Sequence, residues 1–269
     1  MILLWLACAE PVAPPPAPSA DLLAHCEAAI GPPQVRTLVP GQVHVATGFD
    51  LANTILVQTP AGNVVIDAGM TPGRALQVRA ALEQVAPGPV AALVFTHSHI
   101  DHVGGASAWA GADTPIWATA AFADHFFQQY GRFQPLQARR AARQYGRDLG
   151  GVDPCTGLGA LLDWDGLRTV GPRLPTRTFS GRDDLDLGGV HLELFEAHGE
   201  TDDQLFAWLP EQSVLFPGDN FYRAFPNLST LRGSRPRPAD EWIRSLDAMR
   251  RLDPAVLVPS HTADRKSVV

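Results

Sequence analysis

Apolar and polar positions change their spacing several times along the chain, and each change marks an element. Residues 42–47, 54–58 and 63–67 are short β-branched runs separated by Gly, Asn and Pro, the pattern of successive strands. Residues 72–85 shift to helical spacing, with Ala75, Leu76, Val78 and Leu82 apolar and Pro72 in the first turn. The continuous apolar run 90–95 predicts a buried strand ending at Thr96. His97 then opens a loop at the C-terminal end of that strand, where α/β folds present ligand groups.

Further along, residues 119–130 and 135–149 read as helices, the second with Arg139, Arg140, Arg143 and Arg147 on a face expected to be solvated. Residues 150–175 are rich in Gly, Pro and Asp and predict an ordered insertion or flap near the site. Strands are expected at 176–179, 190–196, 205–208 and 213–216. Residues 240–252 are amphipathic, with Trp242, Ile243, Leu246 and Met249 on one face, and lead into an apolar strand at 255–258 with His261 just beyond. This order predicts an α/β chain built as two sheets packed into a sandwich and covered by helices.

Composition narrows the function. A chain of 269 residues, 45% hydrophobic, buries one substantial core without requiring a second. The net charge of -7 supplies no basic face for a phosphate backbone, so the expected partner is a small-molecule substrate and not nucleic acid.

The two ends carry separate expectations. Residues 1–34 read as a signal-like segment and Pro-rich linker, and Cys8, after a short apolar run, is placed as a lipidated residue. That makes an exported, periplasmic or membrane-anchored lipoprotein the expectation, with a cytoplasmic protein as the alternative. Cys26 and Cys155 are left either as a disulfide or as two unpaired thiols. Residues 264–269 match what a sequencing adapter encodes in one frame, so residues 263–269 are expected to be a non-native tail after a domain spanning 35–262.

The strongest chemical signal is His97-Ser98-His99-Ile100-Asp101-His102, three imidazoles and a carboxylate within six residues. Neutral imidazoles and a carboxylate suit zinc. His97 and His99 project to one side of an extended loop and can take one ion, while Asp101 and His102 can turn towards a second. Two ions need more ligands, and each of three later strands is followed by polar groups: residues 196–203, 217–220 and 259–262. Within the first of these, His198 and Glu200 are alternative ligands, whereas Asp202 and Asp203 are expected to cap or position the next segment.

These motifs resemble the metallo-β-lactamase superfamily across residues 35–262, which implies an αββα sandwich of two mixed sheets flanked by helices. Most members carry His where this chain has Glu200, and that substitution, with Phe225 to Gly233 downstream, resembles the zinc-dependent alkylsulfatase branch. The resemblance implies two Zn2+ ions, the first held by His97, His99 and Glu200 and the second by Asp101, His102 and His261. Asp219 would bridge them, where that branch often has Glu.

Asn227, Thr230 and Arg232 match positions that contact sulfate, and Phe221, Tyr222 and Phe225 are candidates for an alkyl-binding wall or for core. The implied activity is hydrolysis of an alkyl sulfate ester by metal-activated water. A lactamase, lactonase or thioesterase of the same fold, or a non-enzymatic metal-binding module, are the alternatives. Dimerisation is left open.

Overall fold

The computed structural model describes residues 17–147 and 155–263, together with the backbone of residues 265 and 266. Its chain order begins with helix α1 (Ala20–Ala29), strands β1 (Gln34–Val39), β2 (Val43–Thr47), β3 (Thr54–Thr59) and β4 (Gly62–Ile66), and helix α2 (Pro72–Glu83). Strand β5 (Val90–Val94), helix α3 (Ile100–Val103), strand β6 (Ile116–Thr119), helices α4 (Phe122–Phe126) and α5 (Gln134–Gln144), and strand β7 (Arg177–Phe179) follow. Strands β8 (Arg182–Leu187), β9 (Val190–Glu196), β10 (Leu205–Leu209) and β11 (Val214–Phe216), helix α6 (Ala239–Arg251), and strands β12 (Val256–Leu257) and β13 (Arg265–Lys266) complete it.

Strands β1 to β7 form one sheet in sequence order, antiparallel from β1 to β4 and parallel from β4 to β7. The second sheet runs β13-β12-β11-β10-β9-β8, antiparallel except between β11 and β12. Both sheets are mixed, as expected. Their inner faces meet in one apolar core in which Ile55, Val57, Val64, Ile66 and Val94 face Leu192, Leu194, Leu205, Ala207 and Phe216. The opposite face of the first sheet, with Leu56, Val65 and Leu93, is covered by Ala75, Val78 and Leu82 of α2. Met249 of α6 covers Phe206, Trp208 and Leu215 of the second sheet. Strands buried on both faces need apolar residues at consecutive positions, which is why 90–94 reads as an unbroken run.

Local chemistry sets the helix boundaries. Thr71 Oγ1 accepts from the Arg74 N–H and Pro72 occupies the first turn, so α2 starts where its missing donor costs nothing. Helix α6 carries Asp240 and Glu241 in its first turn and Arg250 and Arg251 in its last, matching the helix dipole at both ends.

Several expectations need correction. The helix expected at 119–130 begins only at Phe122, because Thr119 closes β6, and it widens into a π-helical turn at Phe127–Arg132. Ile243 is 57% exposed and does not share the buried face of Trp242 and Met249. Strands β1, β6 and β8 were not anticipated.

Part of the expected linker is helix α1, capped by Ser19 Oγ accepting from the Leu22 N–H, and its Cys26 is joined to Cys155 by a disulfide. Of the two readings of those cysteines, the structure therefore has the bond. Cys8, residues 150–154 of the expected flap and the side chains of the suspected tail lie outside the described residues. Among the described residues no helix is long and apolar enough to cross a membrane.

Candidate metal centre

The site lies where the C-terminal ends of strands from both sheets meet. Strand β5 delivers His97 and His99 and leads into α3, which carries Asp101 and His102. Gly104 and Gly105 follow because a Cβ at either would collide with a backbone oxygen, that of Met70 or Ala68. Asp219 sits on a short 3-10 turn after β11, entered through Gly218 at φ 58°, and His261 follows β12. Gly218 has its left-handed backbone at a spot where a Cβ would also meet the Gln204 side chain, so only glycine fits.

Two groups of ligating atoms form. His97, His99 and Asp219 make one, and Asp101, His102 and His261 the other, with the atoms of each group within 4.8 Å of one another. Asp219 Oδ2 lies 3.7 Å from His97 Nε2, 3.4 Å from His102 Nε2 and 3.2 Å from His261 Nε2, so one carboxylate touches both groups. Asp101 Oδ2 is 3.4 Å from both His102 Nε2 and His261 Nε2. Glu200 Oε1 stands 3.8 Å from His99 Nδ1, beside the first group but not within it. His198 points elsewhere, towards Glu196 and Glu241, which leaves Glu200 as the acid facing the cluster.

Outer contacts fix the rings. His102 Nδ1–H donates to Asp67 Oδ2 at 2.7 Å and His261 Nδ1–H donates to the Leu51 carbonyl at 2.8 Å, so both rings turn Nε2 inwards. Thr96 Oγ1 donates to Asp67, which leaves His97 Nδ1–H to donate to Thr96 Oγ1 at 3.0 Å. Asp67 also accepts from Ser260 Oγ and the Thr96 N–H, and it adopts φ 60° to reach them. Its part in the site was not read from the sequence, where it looked like the last residue of a strand.

Arg237 was missed as well. Its buried guanidinium pairs Nη1 with Glu200 Oε1 at 2.7 Å and donates to the Asn227 carbonyl, so it offsets the charge that Glu200 brings.

The electrostatics follow from burial. Burial and the neighbouring His102 push His97 down to about 3, and burial with His97 holds His99 well below the usual imidazole range. Burial opposes charge on His102 and His261 too, but Asp219 and its neighbouring acids outweigh it, raising His261 to about 10 and His102 well above its ordinary value. Desolvation lifts Glu200 to about 7 despite Arg237. His102 Nε2, Glu200 Oε2 and Asp219 Oδ1 are all buried without a hydrogen-bond partner. Buried ring nitrogen and carboxylate oxygens left without partners and converging on one place are what a divalent cation would satisfy on displacing the ring protons, and the set fits zinc.

Two cavities adjoin the cluster. The larger, about 530 Å³, reaches Asp101 and Arg232 and is walled by Leu51, Met70, Phe126, Leu162, Trp164 and Leu167. The smaller, about 250 Å³, reaches His99, Glu200 and Arg237 and includes Arg140 and Arg235. Arg147, expected on a solvated face, lines the larger cavity and stacks on Trp164.

Of the expected sulfate contacts, Arg232 lines the larger cavity, whereas Asn227 and Thr230 line neither. Tyr222 is buried with its ring 6.1 Å from that of His261, Phe221 packs against the α6 core, and Phe225 is 84% exposed. The apolar wall therefore comes from other elements. Tyr130 lines it too: its oxygen accepts from the Ile100 N–H and from Gln129, and burial pushes its pKa up. Asp202 pairs with Arg235 and His125, away from the ligating groups.

A metallo-beta-lactamase superfamily model matches residues 47–261, the span that holds every one of these ligating side chains. The chain belongs to the metallo-beta-lactamase superfamily. Within that superfamily it is similar to the linear primary-alkylsulfatase of Pseudomonas sp., 27% identical over 216 residues that cover 77% of this chain and 40% of the relative. The (R)-specific secondary-alkylsulfatase of Pseudomonas sp. is 31% identical over 222 residues, covering 77% of this chain and 33% of the relative.

Among solved structures, the stereoselective inverting sec-alkylsulfatase Pisa1 from Pseudomonas sp. superposes with a TM-score of 0.82 at 26% identity, covering 88% of this chain and 39% of that one. A metallo-beta-lactamase from Pontibacter korlensis, 18% identical with a TM-score of 0.59, covers 87% of this chain and 94% of its own and shares the fold. The resemblance to the alkylsulfatase branch thus holds in sequence and in structure. The chain spans between a third and two fifths of the length of the two curated alkylsulfatases described above.

Proposed function

We propose that the chain is the catalytic unit of a binuclear zinc hydrolase that cleaves alkyl sulfate esters to alcohol and sulfate. The observation that carries this reading is one carboxylate, Asp219, shared by two ligating groups at the end of an apolar cavity that contains Arg232. His97, His99 and Glu200 would hold the first ion, Asp101, His102 and His261 the second, and Asp219 both. Two zinc ions there would supply Lewis acidity and an acidified water, so no protein nucleophile is needed.

The chain's own residues supply the rest. Arg232 presents a planar fork matched to the oxygens of a sulfate. Tyr130 already accepts two hydrogen bonds, which leaves its O–H proton to donate into the cavity, and its raised pKa keeps that proton in place at neutral pH. Leu51, Met70, Phe126, Trp164 and Leu167 would take the alkyl chain out of water, each buried methylene contributing about 0.8 kcal/mol. Asp67 and the Leu51 carbonyl hold the His102 and His261 rings while this happens.

The test is release of inorganic sulfate from dodecyl sulfate by the zinc-loaded chain, set beside hydrolysis of a chromogenic β-lactam. Sulfate release with a silent lactam supports the reading. The reverse outcome moves the chain to another activity of the same fold.

A further inference from the structure

We infer that the two metal positions bind with unequal affinity, the Asp101–His102–His261 position filling first, and that Arg237 sets the difference through its hold on Glu200. The inference rests on the two-ion reading above and adds an order of binding to it.

The two positions differ in charge. Around His102 and His261 stand three carboxylates: Asp101 and Asp219 in front, and Asp67 behind His102. No arginine is paired with any of these three among the described residues. His97 and His99 pair directly only with Asp219, shared with the other position, and with Glu200, while Asp67 and Asp101 act on these rings from further off.

Glu200 is not freely available. Arg237 Nη1 sits 2.7 Å from its Oε1, closer than His99 Nδ1 at 3.8 Å. The guanidinium cannot swing into solvent to make way for an ion. Its side chain is only 2% exposed, the Asn227 carbonyl accepts from the same Nη1, and its Nε and Nη2 are buried without partners. A dication at the first position must therefore share Glu200 with a fixed, desolvated cation, and buried like charges repel strongly because little water screens them. A neutral histidine at position 200 would need no such counter-charge. Arg237 is thus a positioning residue: it keeps a buried Glu200 tolerable in the metal-free chain and weakens the first metal position as a result.

The experiment strips the full chain of metal and titrates it with Zn2+ against a chromophoric competitor, with native mass spectrometry counting bound ions. The wild-type chain should bind two ions with dissociation constants about tenfold or more apart. Asp101→Asn should abolish the tight event and His99→Ala the weak one. Arg237→Met should tighten the weak event by about tenfold or more, while Arg237→Lys, which keeps the charge, should leave it weak.

Equal constants in the wild type, loss of the tight event in His99→Ala, or an unchanged or weaker second constant in a folded Arg237→Met would overturn the inference. Should Arg237→Met fail to fold, Arg237→Gln carries the same expectation, because it keeps a hydrogen bond to Glu200 without the charge. Binding of one ion or none by the wild-type chain would instead defeat the two-ion reading itself.

Discussion

Asp67 Oδ2 lies 2.7 Å from His102 Nδ1, and this contact decides which nitrogen of the ring faces the site. With Nδ1–H committed to Asp67, Nε2 keeps its lone pair for a metal once the ring is neutral. Asp67→Asn preserves the shape and removes the charge. It should weaken zinc binding by about 10–100-fold, as loss of a partner behind a metal-bound histidine does. Competitive zinc titration checks this, and an unchanged affinity would reduce Asp67 to a purely structural acid.

Arg232 tests substrate recognition separately from metal binding. Arg232→Ala should keep both zinc ions yet lower kcat/KM for alkyl sulfates by roughly 30- to 1000-fold, about 2–4 kcal/mol of lost transition-state binding. Arg232→Lys should be nearly as damaging, since it keeps the charge and loses the planar fork. Full turnover by a folded, zinc-loaded Arg232→Ala would show that sulfate is held elsewhere.

Zinc binding should be linked to protons. His261 is raised from 6.5 to about 10 in the metal-free site, and His102 is also raised well above its ordinary value. The His261 contribution to stability without metal is fully present below pH 6.5 and is lost as pH rises through about 10. Zinc requires both rings neutral, so binding at pH 7 should release protons, and the apparent affinity should rise with pH above neutrality as His261 loses its proton. Calorimetry in buffers of different ionisation enthalpy measures the protons released. Zero release would contradict the charged rings.

The Cys26–Cys155 bond closes a sequence separation of 129 residues, for which chain entropy gives a stabilisation of about 5 kcal/mol. Cys155→Ser should lower the denaturant midpoint accordingly, and a reductant should lower the wild type to the same level while leaving the variant unmoved. Equal midpoints for oxidised and reduced wild type would show that the bond carries no stability.

How much of this was legible beforehand depended on distance along the chain. The His97–His102 cluster and strand β5 before it are local, so spacing alone exposed them. Asp67 escaped because its partners lie 29, 35 and 193 residues away, and only the folded sandwich brings Thr96, His102 and Ser260 to it. Arg237 escaped for a similar reason, sitting between Pro236 and Pro238 in a stretch with no periodicity, 37 residues from its partner Glu200. Strand β8, Arg182–Leu187, was invisible because an edge strand with three aspartates contradicts strand propensity and buries only Leu185. Of the two readings left open for Phe221, Tyr222 and Phe225, Phe221 and Tyr222 take the buried one, and Leu162, Trp164 and Leu167 from the insertion and Phe126 from α4 line the cavity, a grouping that only the folded chain reveals.

His261 reaches the second ligating group from the loop after β12, 160 residues beyond Asp101, and its ring is set by Leu51 from the loop between β2 and β3. A ribosome reads those residues in order. While the polypeptide is still emerging, His97 to His102 are outside the exit tunnel without their counterpart, so the nascent protein offers at most an incomplete chelate. Under the proposed two-ion reading, both metal positions would be complete only once β12 has paired with β11, so the site would be assembled after the second sheet has closed around it.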